Sequence, residues 1–157
     1  MNNRFRIFLS LACIYALFIF YLSSQSNPGD PVSSLEKWDS RELRNLIKSI
    51  ENSDLKFILY PLYLYATYPD KVIHAILYAG FGFLLYPALK NSPNPTLSAY
   101  ALLFAIIIGT MYGASDEFHQ SFVPGRTASI DDLFADFIGV TLAQMIIFIK
   151  DKLYFRA

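Results

Sequence analysis

Charge is scarce in this chain. Asp, Glu, Lys and Arg together make up 17% of its 157 residues, against about 25% in a soluble domain. The formal net charge is zero, so no basic surface points to a nucleic-acid partner. Cysteine is almost absent. Cys13 is the only one, which excludes a disulfide framework. It lies in an apolar run, without the polar neighbours that activate a thiolate. Internal repeats and low-complexity tails are also missing. The length fits one domain, residues 1–157, with no second core to place.

What is present is apolar. Hydrophobic residues reach 54% and fall in blocks. Four blocks, at about residues 5–22, 72–89, 97–114 and 133–149, each approach the roughly 17–25 residues needed to cross a bilayer core. Lipid offers no partner to an open backbone, so each block must be helical. The fold class read here is therefore all-α: a polytopic integral membrane protein with four transmembrane helices and an amphipathic or interfacial segment. Tyrosines crowd the block ends, where amphipathic rings settle in a bilayer. The first block follows Arg4 and Arg6. It is read as a retained span, because it is at the long limit for a signal peptide and no A-x-A site follows.

The connections differ in length. Residues 91–96, Asn-Ser-Pro-Asn-Pro-Thr, read as a tight turn that makes the second and third spans an antiparallel pair. Residues 23–71 form a long loop. Within it Leu35, Trp38, Leu43, Leu46, Ile47 and Ile50 recur at helical spacing, as on a helix lying in the membrane surface or packed on the domain. Residues 57–68 are apolar but too short to span, and Pro61 interrupts them. Arg4, Arg6, Lys90, Lys150, Lys152 and Arg156 flank the spans and favour both termini inside. That leaves the 23–71 loop outside.

Small residues recur four apart: Ala75 and Ala79; Ala101, Ala105, Gly109 and Gly113; Ala135, Gly139 and Ala143. This spacing lets helix backbones approach closely in lipid. Packing within the chain is expected, and pairing of two copies is the alternative.

The chemistry gathers at one end. Asp70, Lys71, His74 and Tyr78 open the second span. Asp116, Glu117, His119, Gln120 and Arg126 close or follow the third. Asp131, Asp132 and Asp136 open the fourth. Alternating spans bring all three groups to one membrane face. Asp70, His74 and Tyr78 share a helix face, being four apart. Asp136 lies about 6 Å deeper than Asp132. A carboxylate within a span costs about 3 kcal/mol and signals a functional site with a partner. Arg126 is the candidate partner on charge, and His74 the candidate on depth. Ser129-Ile130-Asp131-Asp132 matches a helix-capping pattern, which gives Asp132 a structural reading as well. His119 reads as an exposed loop residue. Arg126 offers a planar fork for phosphate or carboxylate, and lipid phosphates alone would satisfy it.

These residues also carry a resemblance. Asp70-Lys71-x-x-His74-x-x-x-Tyr78, then Asp116-Glu117-x-x-Gln120-x-Phe122-x-Pro124-Gly125-Arg126-x-x-Ser129-x-x-Asp132, then Gly139, resemble the VanZ-like family over most of residues 70–140. Ser23-Ser24-Gln25 adds a weaker match. The family pattern often has asparagine in place of Asp136, so the carboxylate here calls for a cation or a proton. The resemblance implies a multi-pass protein of the bacterial inner membrane and cell envelope, associated with teicoplanin resistance. It fixes no reaction and no cofactor.

Three functions compete on this evidence. In the first, the chain binds or modifies a lipid-linked or anionic envelope ligand. His74, Asp116 and Glu117 would then act as acid and base, and Asp70, Lys71, Tyr78, Gln120, Arg126, Asp132 and Asp136 would contact the ligand. Its partners would be membrane lipids and a lipid-linked envelope precursor. In the second, the chain is a non-enzymatic scaffold whose polar cluster is structural. In the third, it is a metal-dependent membrane enzyme drawing on Asp70, His74, Asp116, His119 and Asp136, although their spacing matches no defined zinc pattern.

Overall fold

The computed structural model describes residues 3–26 and 68–154, together with residues 45, 48, 49 and 64. The turn expected at 27–31 lies outside the described residues. The readings of 35–50 and 57–68 fall almost wholly outside them.

Five helices are described. Helix α1 is Asn3–Ser23, α2 is Pro69–Lys90, α3 is Pro95–Ala99, α4 is Ala101–Gln120 and α5 is Ile130–Tyr154. The first, second, fourth and fifth are each long and apolar enough to cross a membrane. The chain is a multi-pass, all-helical membrane protein.

Local chemistry sets the helix ends. In α2, Pro69 occupies the first turn, where its missing N–H costs nothing. Asp70 lies in that first turn and Lys90 in the last, each complementing the helix dipole. The short α3 forms because the Asn94 side chain accepts from the Thr96 and Leu97 N–H groups, at 2.9 and 3.2 Å, with Pro95 next in line. The helix after it therefore restarts at Ala101 rather than running unbroken from residue 97.

The third span also ends later than hydropathy suggests. Apolar residues stop near Ala114, yet α4 continues to Gln120. Asp116, Glu117 and Gln120 are all buried. They extend the helix because they turn inward onto partners rather than out into lipid.

Helix α2 is central. It packs most extensively against α5 and also meets α1 and α4, and α4 in turn packs on α5. The small residues make this possible. A Cβ placed on Gly139 would lie 2.1 Å from the Ala75 carbonyl oxygen, so α2 and α5 cross almost backbone to backbone. One placed on Gly109 would lie 2.7 Å from Val140, and one on Gly113 would lie 2.8 Å from Asp136 Oδ2. The stripe Ala101, Ala105, Gly109 and Gly113 is buried throughout and is used inside the chain. A ring cluster of Tyr15, Tyr78, Phe81 and Tyr112 fills the middle. The Tyr112 hydroxyl donates to the Ala16 carbonyl at 2.6 Å and ties α1 to α4.

The two ends of the bundle differ. At one end Tyr86 donates to Asp151 at 2.9 Å, near Lys90 and Lys150. The polar cluster sits at the other.

A polar cluster inside one end of the bundle

The first turns of α2 and α5 lie side by side. This juxtaposition builds a ladder of two pairs. At the rim, Lys71 donates to Asp132 and lies 3.7 Å from Asp70. One turn deeper, His74 Nδ1 meets Asp136 Oδ1 at 2.9 Å. Asp136 is fully buried, whereas the His74 side chain keeps 12% of its surface exposed.

The last turn of α4 forms the second wall. Glu117 accepts from the Ser129 backbone N–H at 2.7 Å. Its other oxygen takes a 3.4 Å bond from the Gln120 amide. The same amide donates to Asp116 at 3.2 Å. One histidine nitrogen and one oxygen each from Glu117 and Asp136 lie within 4.8 Å of one another. A second group at the rim joins Asp70, His74 and Asp132. Tyr78 stands one turn below His74, its side chain 1% exposed, within electrostatic range of Asp116, Asp136 and Glu117.

The cluster is short of partners. Asp136 Oδ2, Asp116 Oδ1 and the Tyr78 hydroxyl are buried, and none has a hydrogen-bond partner among the described residues. Neither lysine nor arginine pairs with Asp116, Glu117 or Asp136 there. Among the described residues, the core of the cluster holds three carboxylates, Asp116, Glu117 and Asp136, against the His74 imidazole.

The structure thus assembles Asp70, Lys71, His74, Tyr78, Asp116, Glu117, Gln120, Asp132 and Asp136 at one end. It does not bring Arg126 into their midst. Arg126 donates through Nε to the Gln25 carbonyl at 3.2 Å, and His74 is the partner of Asp136. The turn before Arg126 explains this. Gly125 adopts φ +81°, against the Ser26 carbonyl, and carries the arginine onto the end of α1. His119 is not a loop residue either. It lies inside α4, 4.5 Å from the Phe20 ring, and shares a 3.1 Å hydrogen bond with Ser24. The capping pattern holds in part. Ser129 accepts from the Asp132 N–H at 3.3 Å, but the Asp132 carboxylate goes to Lys71.

Two contributions escape spacing arguments. The Ser129 N–H reaches Glu117 across the loop, and Gly113 makes room for Asp136. The glycine stripe on α4 is the signal that could have located the second.

Beside the ladder, the described residues of α2 and α5 leave an apolar groove of about 500 Å³. Ala75, Ala79 and Phe83 line it from α2 and Ala135 and Leu142 from α5, with Leu64, Tyr68 and Lys71 also contributing. From Lys71 to Phe83 the groove runs about 18 Å along the helix. That is close to one leaflet of a hydrocarbon core about 30 Å thick.

A family model described as VanZ/LLP1 matches residues 8–151. No curated protein and no solved structure matches the chain.

Proposed function

The chain belongs to the VanZ/LLP1 family, and from that membership and its geometry we propose that it binds a lipid-linked ligand of the bacterial cell envelope. It would sit in the cytoplasmic membrane with both termini inside, its polar cluster at the extracytoplasmic face. In this reading the apolar chain of the ligand lies in the α2–α5 groove and its head meets Lys71 and the ladder behind it. Binding there would underlie a link to glycopeptide (teicoplanin) resistance, since those antibiotics act outside the membrane. His74 and Asp136, one turn below Lys71, would be placed to pass a proton to a bound head group.

The groove beside Lys71 is the observation that carries this reading. An apolar groove with a lysine among its lining residues suits the chain of an amphiphile whose head is anionic. Lys71 already faces Asp132 and Asp70, so an anionic head would compete with those carboxylates. Arg126 contributes no charge at the groove.

The test is native mass spectrometry of gently extracted protein, comparing wild type with Ala79→Phe, which fills the groove, and Lys71→Gln. A retained lipid that is lost from both variants supports the reading. The same adduct on all three would reveal only surface lipid and defeat it. Glycopeptide susceptibility of a host expressing each variant at equal membrane abundance gives the second readout. Wild-type protection should fall with Ala79→Phe.

A further inference from the structure

We propose that the inner part of the cluster is a divalent transition-metal site, with His74, Glu117 and Asp136 as its protein ligands. The inference stands apart from the lipid reading, because the groove lies outside these three side chains.

Geometry comes first. The three donor atoms lie within 4.8 Å of one another. A divalent ion held octahedrally by bonds of about 2.1 Å sets adjacent donors about 3 Å apart and opposite donors about 4.2 Å apart. The 2.9 Å separation of His74 Nδ1 and Asp136 Oδ1 matches adjacent donors on such an ion. The other two separations are at most 4.8 Å and would have to close to about 4.2 Å or less around the ion.

Charge is the second argument. Asp136 is fully buried, and its Oδ2 has no partner among the described residues. Asp116 lies close by with its own unpartnered, buried Oδ1. Charges held in a membrane interior need a counter-charge, and neither Lys71 nor Arg126 supplies one at this depth. A divalent cation would offset two of the three negative charges. Protons are the competing answer.

The donor set also indicates the metal class. Imidazole suits zinc, iron and copper, whereas carboxylates also accept manganese. One imidazole with two carboxylates therefore favours Mn2+ or Zn2+ over Ca2+. Gln120 would hold Glu117 in place, as outer hydrogen bonds commonly do for ligating groups. His119 takes no part, since it faces Ser24 and Phe20 on α1.

The chain has two histidines, which makes the test direct. Protein prepared without a histidine tag is stripped with chelator and titrated with Mn2+. Bound ion is then counted by elemental analysis and examined by pulsed electron paramagnetic resonance. His119→Gln keeps His74 as the sole imidazole. That variant should bind about one Mn2+ per chain and show nitrogen coupling from a histidine ring. Absence of bound Mn2+ together with absence of bound Zn2+ in a parallel titration, or Mn2+ binding without that coupling, overturns the proposal. Asp136→Asn keeps the shape and removes the charge, and should weaken binding at least roughly tenfold, as loss of supporting groups alone can do. Unchanged affinity in folded Asp136→Asn overturns the assignment of Asp136. If Asp136→Asn does not fold, the resonance experiment on His119→Gln decides alone. Metal without lipid, or lipid without metal, separates this site from the groove.

Discussion

Replacing Gly139 by alanine tests how closely α2 and α5 cross. The new Cβ would fall 2.1 Å from the Ala75 carbonyl oxygen. Contacts between such atoms rarely fall below about 3 Å, so the helices must part by about 1 Å. The obstacle is backbone, and no rotamer change relieves it. Overpacking of this kind costs about 1–3 kcal/mol. A second loss follows from sequence position. His74 adjoins Ala75, and Asp136 is one turn from Gly139, so their 2.9 Å hydrogen bond stretches toward 4 Å. Hydrogen bonds between membrane helices contribute about 0.6 kcal/mol on average and up to about 1.7. Together these give a loss of about 2–4 kcal/mol. Gly80→Ala is the control. Its Cβ would lie 2.4 Å from the Tyr15 hydroxyl oxygen and 3.0 Å from Cζ, a half-buried side chain that yields more readily than backbone. Both variants gain the same helix propensity, about 1 kcal/mol, so it cancels between them. At about 2–4 °C per kcal/mol for a chain this size, Gly139→Ala should melt roughly 5–15 °C below Gly80→Ala. The assay is thermal unfolding in detergent, read by loss of the monodisperse peak on gel filtration. If the two variants melt together, α2 and α5 do not cross backbone to backbone at Gly139.

Three further perturbations follow from the same contacts. His74→Ala leaves Asp136 buried without its base and should cost about 3 kcal/mol. The pair His74→Phe with Asp136→Leu should recover most of that in the melting assay, and if it also restores glycopeptide protection the cluster is structural. Tyr112→Phe removes the bond to the Ala16 carbonyl and should cost about 1 kcal/mol, visible as easier proteolytic release of α1. Gly125→Ala forces an L side chain into positive φ, a cost of about 1–2 kcal/mol. It should loosen the Arg126 contact with Gln25, which a crosslink between the end of α1 and the α4–α5 loop would report as a lower yield.

Much of the bundle could be read from the chain, because lipid permits few choices. Apolar runs had to be helices, and stripes of small residues had to be contacts. Ala75 and Gly139 met as their spacing implied. The alternation of spans placed nine of the ten candidate site residues together. What could not be read was pairing. Charge alone favoured Arg126 for Asp136, but the positive φ at Gly125 sends that arginine to α1. Hydropathy ended the third span at Ala114, because it scores Asp116 and Glu117 as surface residues. Gln120 reaches both within α4, but the Ser129 contact to Glu117 exists only after the chain has turned back toward α5. The capping motif named the right serine but not the destination of Asp132, since Lys71 arrives from another helix.

The strap from Arg126 to the end of α1 bears on how the first two spans are joined. Ser26 leaves the bundle against Gly125, and Tyr68 re-enters it one residue before α2. Both points lie at the mouth of the polar cluster, on helices that already touch. Neighbouring helices need only about 2–8 residues to connect, yet residues 27–67 stand between these two. Chain closure therefore does not account for that length.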